Sequence, residues 1–192
     1  VGKPRSIDRN QVLDAAEEII ERNGAAALTI DAVAKAVGIS KGGVQSCFGA
    51  KHNLVNAMLE RWGKHYDACF EKTAGAAAEQ LSSVEQVKTH VRITATEEAL
   101  IARAACHLSA MLESKDQKDW VRAWHAERLG KLDVATEEGR RARVAYLAVE
   151  GAFMLRYFGL AEMSEQEWRD VFHDIEQLAG GLTSVSLPPE SQ

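Results

Sequence analysis

Apolar residues recur along this chain at intervals of three and four. Val12, Ala15, Ala16, Ile19 and Ile20 make one such stripe, and Trp168, Val171, Phe172, Ile175, Leu178, Ala179 and Leu182 make another. That spacing gathers side chains on one face of a 3.6-residue helix. No alternating segment of comparable length competes, so the pattern predicts an all-α protein. Helix starts are marked by Thr29, Ser40, Ser83, Thr96, Thr136 and Ser164, residues whose hydroxyls can accept from free first-turn N–H groups. Gly24, Gly38, Gly130, Gly159 and Gly180 mark the stops. Together these predict about nine helices, near 8–23, 30–37, 41–48, 51–72, 84–94, 97–113, 117–132, 137–158 and 165–179, without an internal repeat or a long linker.

Composition supports the same picture. Of three prolines, two stand in the Pro188-Pro189 pair, which leaves nearly all of the chain free of helix breakers. A length of 192 residues, 46% of them hydrophobic, is enough for a substantial core without staples. The sequence lacks an apolar run of the ~18 residues a membrane span needs, and VGKPRSIDRN has no signal-peptide pattern. Cys47, Cys69 and Cys106 are odd in number and widely spaced, which indicates neither a disulfide framework nor a zinc knuckle. A reducing cytoplasm is the expected setting. Net charge is −5 overall but unevenly spread: residues 1–55 carry seven basic side chains against six acidic ones. That asymmetry permits nucleic-acid binding by the N-terminal part without requiring it.

Leu28 to Phe48 is the informative stretch. Thr29 is placed to cap a short helix whose Ile30, Val33, Ala34 and Val37 face inward, and Gly38 allows the left-handed backbone that ends it. Ile39 then plugs the core and Ser40 caps a second short helix. Two helices joined by a tight turn form the unit that DNA-binding proteins lay across the major groove. The second helix begins Lys41-Gly42-Gly43, where missing side chains let backbone N–H groups approach phosphate. Each glycine costs about 1 kcal/mol relative to alanine, a cost from which packing alone would gain nothing.

The residues from Arg9 to Met58 resemble the TetR-type DNA-binding domain throughout. Ala15-Ala16, Gly24, Leu28-Thr29, Ala34, the run from Val37 to Gly42, Phe48, Lys51 and Leu54 carry the resemblance. It implies a helix-turn-helix DNA-binding domain over 1–50, with the helix-turn-helix at 28–48. A helical ligand-binding and dimerisation domain over 51–183 and a tail over 184–192 would follow. By the same resemblance Thr29, Ser40, Lys41, Gly42, Gly43, Gln45, Ser46, Cys47 and Lys51 are the candidate DNA-contacting residues. The sequence departs from the family at Gln45, where Tyr is usual. Glutamine can read adenine edges through its amide instead. Asp31 stands where some members carry a basic base-reader, and a carboxylate there is expected to make no contact.

The resemblance further implies a homodimer on an inverted-repeat operator and a small-molecule effector. Residues 142–158 are apolar nearly all round, as expected of a helix buried by its own core on one side and a partner on the other. With the amphipathic helix from Glu165 this would make a four-helix interface, for which Val144, Leu147, Gly151, Leu155, Trp168, Phe172 and Ile175 are candidates. Polar groups among large apolar ones mark candidate effector contacts. These are Met58, Trp62, His65 and Cys69, then His107 and Met111, then Trp124 one turn after Trp120, and finally Tyr146, Glu150 and Met154.

Catalysis and metal binding are not expected. His65 and Cys69 have i,i+4 spacing and Cys106 neighbours His107, yet the sequence has no HExxH, paired CxxC or framed nucleophile. No cofactor is expected either. The alternative reading is a helical dimer that binds a small molecule or a protein without sequence-specific DNA recognition.

Overall fold

The computed structural model describes residues 7–111 and 115–180. Nine helices lie among them: α1 (Arg9–Asn23), α2 (Ile30–Val37), α3 (Lys41–Phe48), α4 (Lys51–Ala74), α5 (Ser83–Thr96), α6 (Glu98–Met111), α7 (Lys115–Gly130), α8 (Glu137–Tyr157) and α9 (Glu165–Gly180). Single 3-10 turns occupy Ala25–Ala27 and Ala78–Gln80, and no strand occurs among the described residues. The expected tail at 184–192, Leu182 and the expected end of the sixth helix at residue 113 lie outside the described residues.

The local chemistry explains most of the boundaries. Thr29, Ser40 and Thr136 each accept a backbone N–H with the side-chain oxygen at the start of α2, α3 and α8. At α9, Ser164 and Glu167 cap each other: the Ser164 N–H donates to the Glu167 carboxylate at 2.8 Å and the Glu167 N–H to Ser164 Oγ at 3.2 Å. Such reciprocal capping contributes on the order of 1 kcal/mol. Two expected starts are corrected. Ser82 rather than Ser83 caps α5, and Thr96 is no cap at all. Its hydroxyl donates to the Arg92 carbonyl inside α5, a bond open to any helical threonine, so the acidic residues after it are a weak start signal. Gly139 is required by a close approach, since a Cβ there would lie 2.0 Å from the Asp133 carbonyl oxygen.

The chain divides into two compact units, one of residues 1–68 and 99–123 and the other of residues 69–98 and 124–192. In the first, Val12, Leu13, Ala16 and Ile20 of α1 pack with Val33 and Ala34 of α2, Val44 and Phe48 of α3 and Leu54, Val55 and Met58 of α4. Ala110 and Met111 of α6 complete that core. In the second, α5, α8 and α9 pack on one another around Val91, Ala142, Tyr146, Val149, Trp168, Phe172 and Ile175. Trp168 is fixed there by a tilted ring contact with Phe172, with centroids 4.3 Å apart, and by its indole N–H donating to the Ala95 carbonyl at 3.2 Å.

Candidate nucleic-acid interface and effector region

α2 and α3 owe their mutual geometry to three local bonds. Thr29 Oγ1 accepts the Ala32 N–H at 3.0 Å and starts α2. Gly38, at φ 74° and ψ 31°, then reverses the chain, and the Ile39 N–H returns to the Ala34 carbonyl at 3.0 Å. Ser40 Oγ accepts the Gly43 N–H at 3.0 Å and starts α3. Val44 and Phe48 point into the core, which leaves Lys41, Gly42, Gln45 and Ser46 exposed on the other side of α3. Thr29 and Ser40 are exposed at the helix starts, and Lys51, the first residue of α4, is half-buried.

The two adjacent glycines have different causes. At Gly43 a Cβ would meet Ile7 Cδ1 at 3.0 Å, a close contact to which the end of the Ile7 side chain would have to yield. At Gly42 the nearest atom is Ser40 Oγ at 3.9 Å, and the position is open. Cys47, one turn after Gly43, is half-buried, and its carbonyl accepts from the Arg9 guanidinium. Gly43 and Cys47, both candidate DNA contacts, thus differ from Gly42 and Gln45 in being half-buried, with Ile7 and Arg9 packed on their side of α3. Neither partner was legible as such, because both contacts join residues far apart in the chain. Asp31 is paired with Lys35 at 2.9 Å, and that bond holds its carboxyl below the usual range.

Among the effector candidates in the first unit, Met58 and Met111 are core residues, and His65 is exposed. Trp62 donates its indole N–H to the Leu100 carbonyl at 3.0 Å. His107 is 1% exposed, and its Nε2 lies 3.1 Å from the carboxylate of Glu17 on α1. The same carboxylate lies 2.8 Å from the guanidinium of Arg61 on α4, which also reaches Asp14 at 2.6 Å. Burial alone would push the Glu17 pKa up, but His107 and Arg61 outweigh it and hold the carboxyl below its ordinary range. One carboxylate thus joins α1, α4 and α6. Neither Glu17 nor Arg61 stands out in the sequence, where both read as solvated charges on helix faces. Cys106 donates to the Glu17 carbonyl at 3.7 Å, and burial pushes its thiol up to about 12.

In the second unit Tyr146 and Glu150, one turn apart on α8, belong to a polar cluster inside the helices. Glu150 lies 3.1 Å from His90 Nε2 on α5, and the Tyr146 hydroxyl lies 2.8 Å from His125 Nδ1 on α7. Burial would raise the Glu150 pKa, but His90 first, then His125 and Tyr146, hold the carboxylate ionised below its usual range. Burial pushes His125 below its ordinary value of 6.5, against the opposing attraction of Glu150. The histidines were not among the sequence candidates, since a lone histidine on a helix carries no signal by itself. Trp124 holds the Arg128 guanidinium 3.3 Å from its ring centroid. Cys69 is half-buried, with its thiol raised by burial. Met154 is exposed and so does not join Tyr146 and Glu150.

The outer side of α8 carries an apolar stripe. Val144, Leu147 and Leu155 are 50%, 53% and 43% exposed, and at Gly151 a Cβ would meet nothing within 4 Å. Trp168, Phe172 and Ile175 are not part of any such surface. They are buried in the core of their own unit, which corrects their assignment to an interface: an amphipathic helix declares an apolar face but not whose core will cover it. No helix among the described residues is long and apolar enough to cross a membrane.

Comparison with known proteins gives concordant matches. The family model of bacterial regulatory proteins, tetR family, matches residues 12–58, and the tetracyclin repressor-like C-terminal domain matches residues 85–180. The HTH-type transcriptional regulator BetI of Vibrio parahaemolyticus is 25% identical over 177 residues, covering 88% of this chain and 81% of its own. Among solved structures, a TetR-family transcriptional regulator from Rhodococcus sp. superposes with a TM-score of 0.68 at 14% identity, covering 90% of this chain and 98% of its own. SmeT, the repressor of the Stenotrophomonas maltophilia multidrug efflux pump SmeDEF, superposes with a TM-score of 0.61 at 20% identity, covering 96% and 95%. At these identities the superpositions speak to the fold.

Proposed function

The chain belongs to the TetR family of bacterial regulatory proteins and is a DNA-binding, ligand-responsive transcriptional regulator; from that premise we propose that it is a homodimeric repressor, released from an inverted-repeat operator by a small-molecule effector. The observation that carries the reading is the exposed face of α3. Gly42 costs helix stability, at about 1 kcal/mol relative to alanine, with no packing gain inside the chain. A surface that must admit the DNA backbone closely supplies the reason. Lys41, Gly42 and Gln45 would then meet the groove, with Thr29, Ser40 and Lys51 on flanking phosphates.

Pairing follows from α8. An exposed stripe of Val144, Leu147 and Leu155 around a glycine suits a second copy packed at close range. A two-fold dimer presents its recognition helices about 34–36 Å apart or further if staggered, so the operator should have dyad symmetry. The effector is proposed to engage the helices of the second unit around Tyr146 and Glu150, the buried polar groups that a ligand can exploit. Within the first unit, Glu17 of α1 is held by both α4 and α6. A small shift of either helix moves α1, and a recognition helix out of register forfeits its half-site.

A salt-titrated binding measurement tests the DNA-binding part. Affinity for duplex DNA should fall steeply with salt, and Lys51→Ala should reduce the log–log slope by about one on selected and random duplexes alike, leaving the preference between them unchanged. A protein whose duplex binding is absent at low salt would instead be a helical small-molecule or protein-binding module.

A further inference from the structure

Ile7, just ahead of α1, lies against α3. Ile7 Cδ1 stands 3.0 Å from the position a Gly43 Cβ would take. Two residues on, Arg9 donates from its guanidinium to the Cys47 carbonyl and stacks over the Phe48 ring, 4.2 Å from the centroid. Gly43 and Cys47 are four residues apart and share a side of the helix, so Ile7 and Arg9 grip α3 near both ends.

We propose that Arg9 is a positioning residue for DNA recognition, which sets the seating of α3 and hence which bases Gln45 and its neighbours reach. The inference rests on the reading of α3 as the recognition helix. Its first support is electrostatic. Arg9 opens α1, and a cation in a first turn opposes the positive pole of its own helix. Placed at the last turn of α3 the same charge meets a negative pole and a carbonyl that the helix itself leaves unsatisfied. The second support is the weakness of what it holds. α3 has eight residues, two of them adjacent glycines, and only Val44 and Phe48 of its side chains are buried. A two-turn helix anchored by two side chains can tilt about them unless a further contact holds it. The third is chemical. A planar guanidinium can lie on Phe48 and donate to Cys47 together, whereas an ammonium of equal charge cannot reproduce both.

Acting through α3 differs measurably from touching DNA. Operator sequences recovered from random duplexes, and equilibrium binding across a salt series, would be compared for the unaltered protein, Arg9→Lys and Arg9→Ala. Both variants are expected to bind the selected operator about tenfold more weakly with flattened base preferences, while random-duplex affinity and the salt slope of Arg9→Lys stay as they were. Should Arg9→Ala unfold, as a thermal melt by circular dichroism would report, Arg9→Lys decides alone. Full recovery of affinity and base preference by Arg9→Lys would make Arg9 a phosphate contact and overturn the proposal, as would unchanged base preferences in both variants. If the unaltered protein enriches no sequence, the underlying reading of α3 fails and the inference falls with it.

Discussion

Gln45 is exposed on α3 beside Ser46, whose hydroxyl is already donated to the Gly43 carbonyl at 2.7 Å. Of the two, the amide is the better placed reader, since it can donate and accept at once and so match adenine N6 and N7. Gln45→Ala is expected to cost about 1–3 kcal/mol on the preferred operator and to relax selection at one base pair per half-site. Gln45→Tyr should regain phosphate contact and overall affinity without that preference. Competition binding against single-base operator variants checks both, and a Gln45→Ala protein with unchanged discrimination at every position would show that the amide reads nothing. At this scale the sequence was informative where chemistry is local. Thr29, Gly38 and Ser40 do what their types dictate in a tight turn. Gly43 reads like Gly42 in the chain, yet answers to Ile7, 36 positions away, and only the fold reveals such a neighbour.

Among the helices, the α5, α7 and α8 cluster is where pH should be felt. His125 has its pKa lowered by burial, with His90 and Arg128 adding to the effect and Glu150 opposing it. A histidine lowered in the folded state binds its proton more readily when unfolded, so it favours folding above its unfolded value near 6.5 and loses that contribution as pH falls below it. Glu17 and Glu150, lowered from 4.5, act in the same direction at more acid pH. Denaturant unfolding followed from pH 7.5 to 4 should therefore show a decline beginning near pH 6.5. His125→Gln, which keeps a hydrogen-bonding partner for Tyr146 but cannot titrate, should flatten that first decline and leave the later one. An unaltered profile in the variant would remove His125 from this account. Apolar periodicity located the helices of the cluster and of α9 well. It could not assign their faces, because Trp168 and Phe172 would show the same spacing whether covered by Val91 and Tyr146 or by a second copy.

On the scale of the whole molecule, the chain does not divide where its motifs end. Residues 99–123 fall in the same compact unit as the DNA-binding helices, joined through Ala110, Met111 and the bond between Glu17 and His107, which spans 90 residues. A helix-turn-helix motif is legible in about twenty residues of sequence, whereas a contact of that separation leaves no local trace. The proposed operator reading depends on pairing through α8, and Gly151 offers a clean way to test it. The space beside Gly151 is open within the chain, and tryptophan is a better helix former than glycine, so Gly151→Trp should leave the protomer folded while obstructing a partner. Selection of binding sites from random duplex DNA, run in parallel on the unaltered protein and on Gly151→Trp, is the most direct test. The unaltered protein is expected to recover two half-sites related by a dyad, with centres about one helical turn apart or more, and Gly151→Trp to lose that symmetry. Recovery of no enriched sequence, or of an asymmetric single site by the unaltered protein, would contradict the account of a dimeric operator-binding regulator.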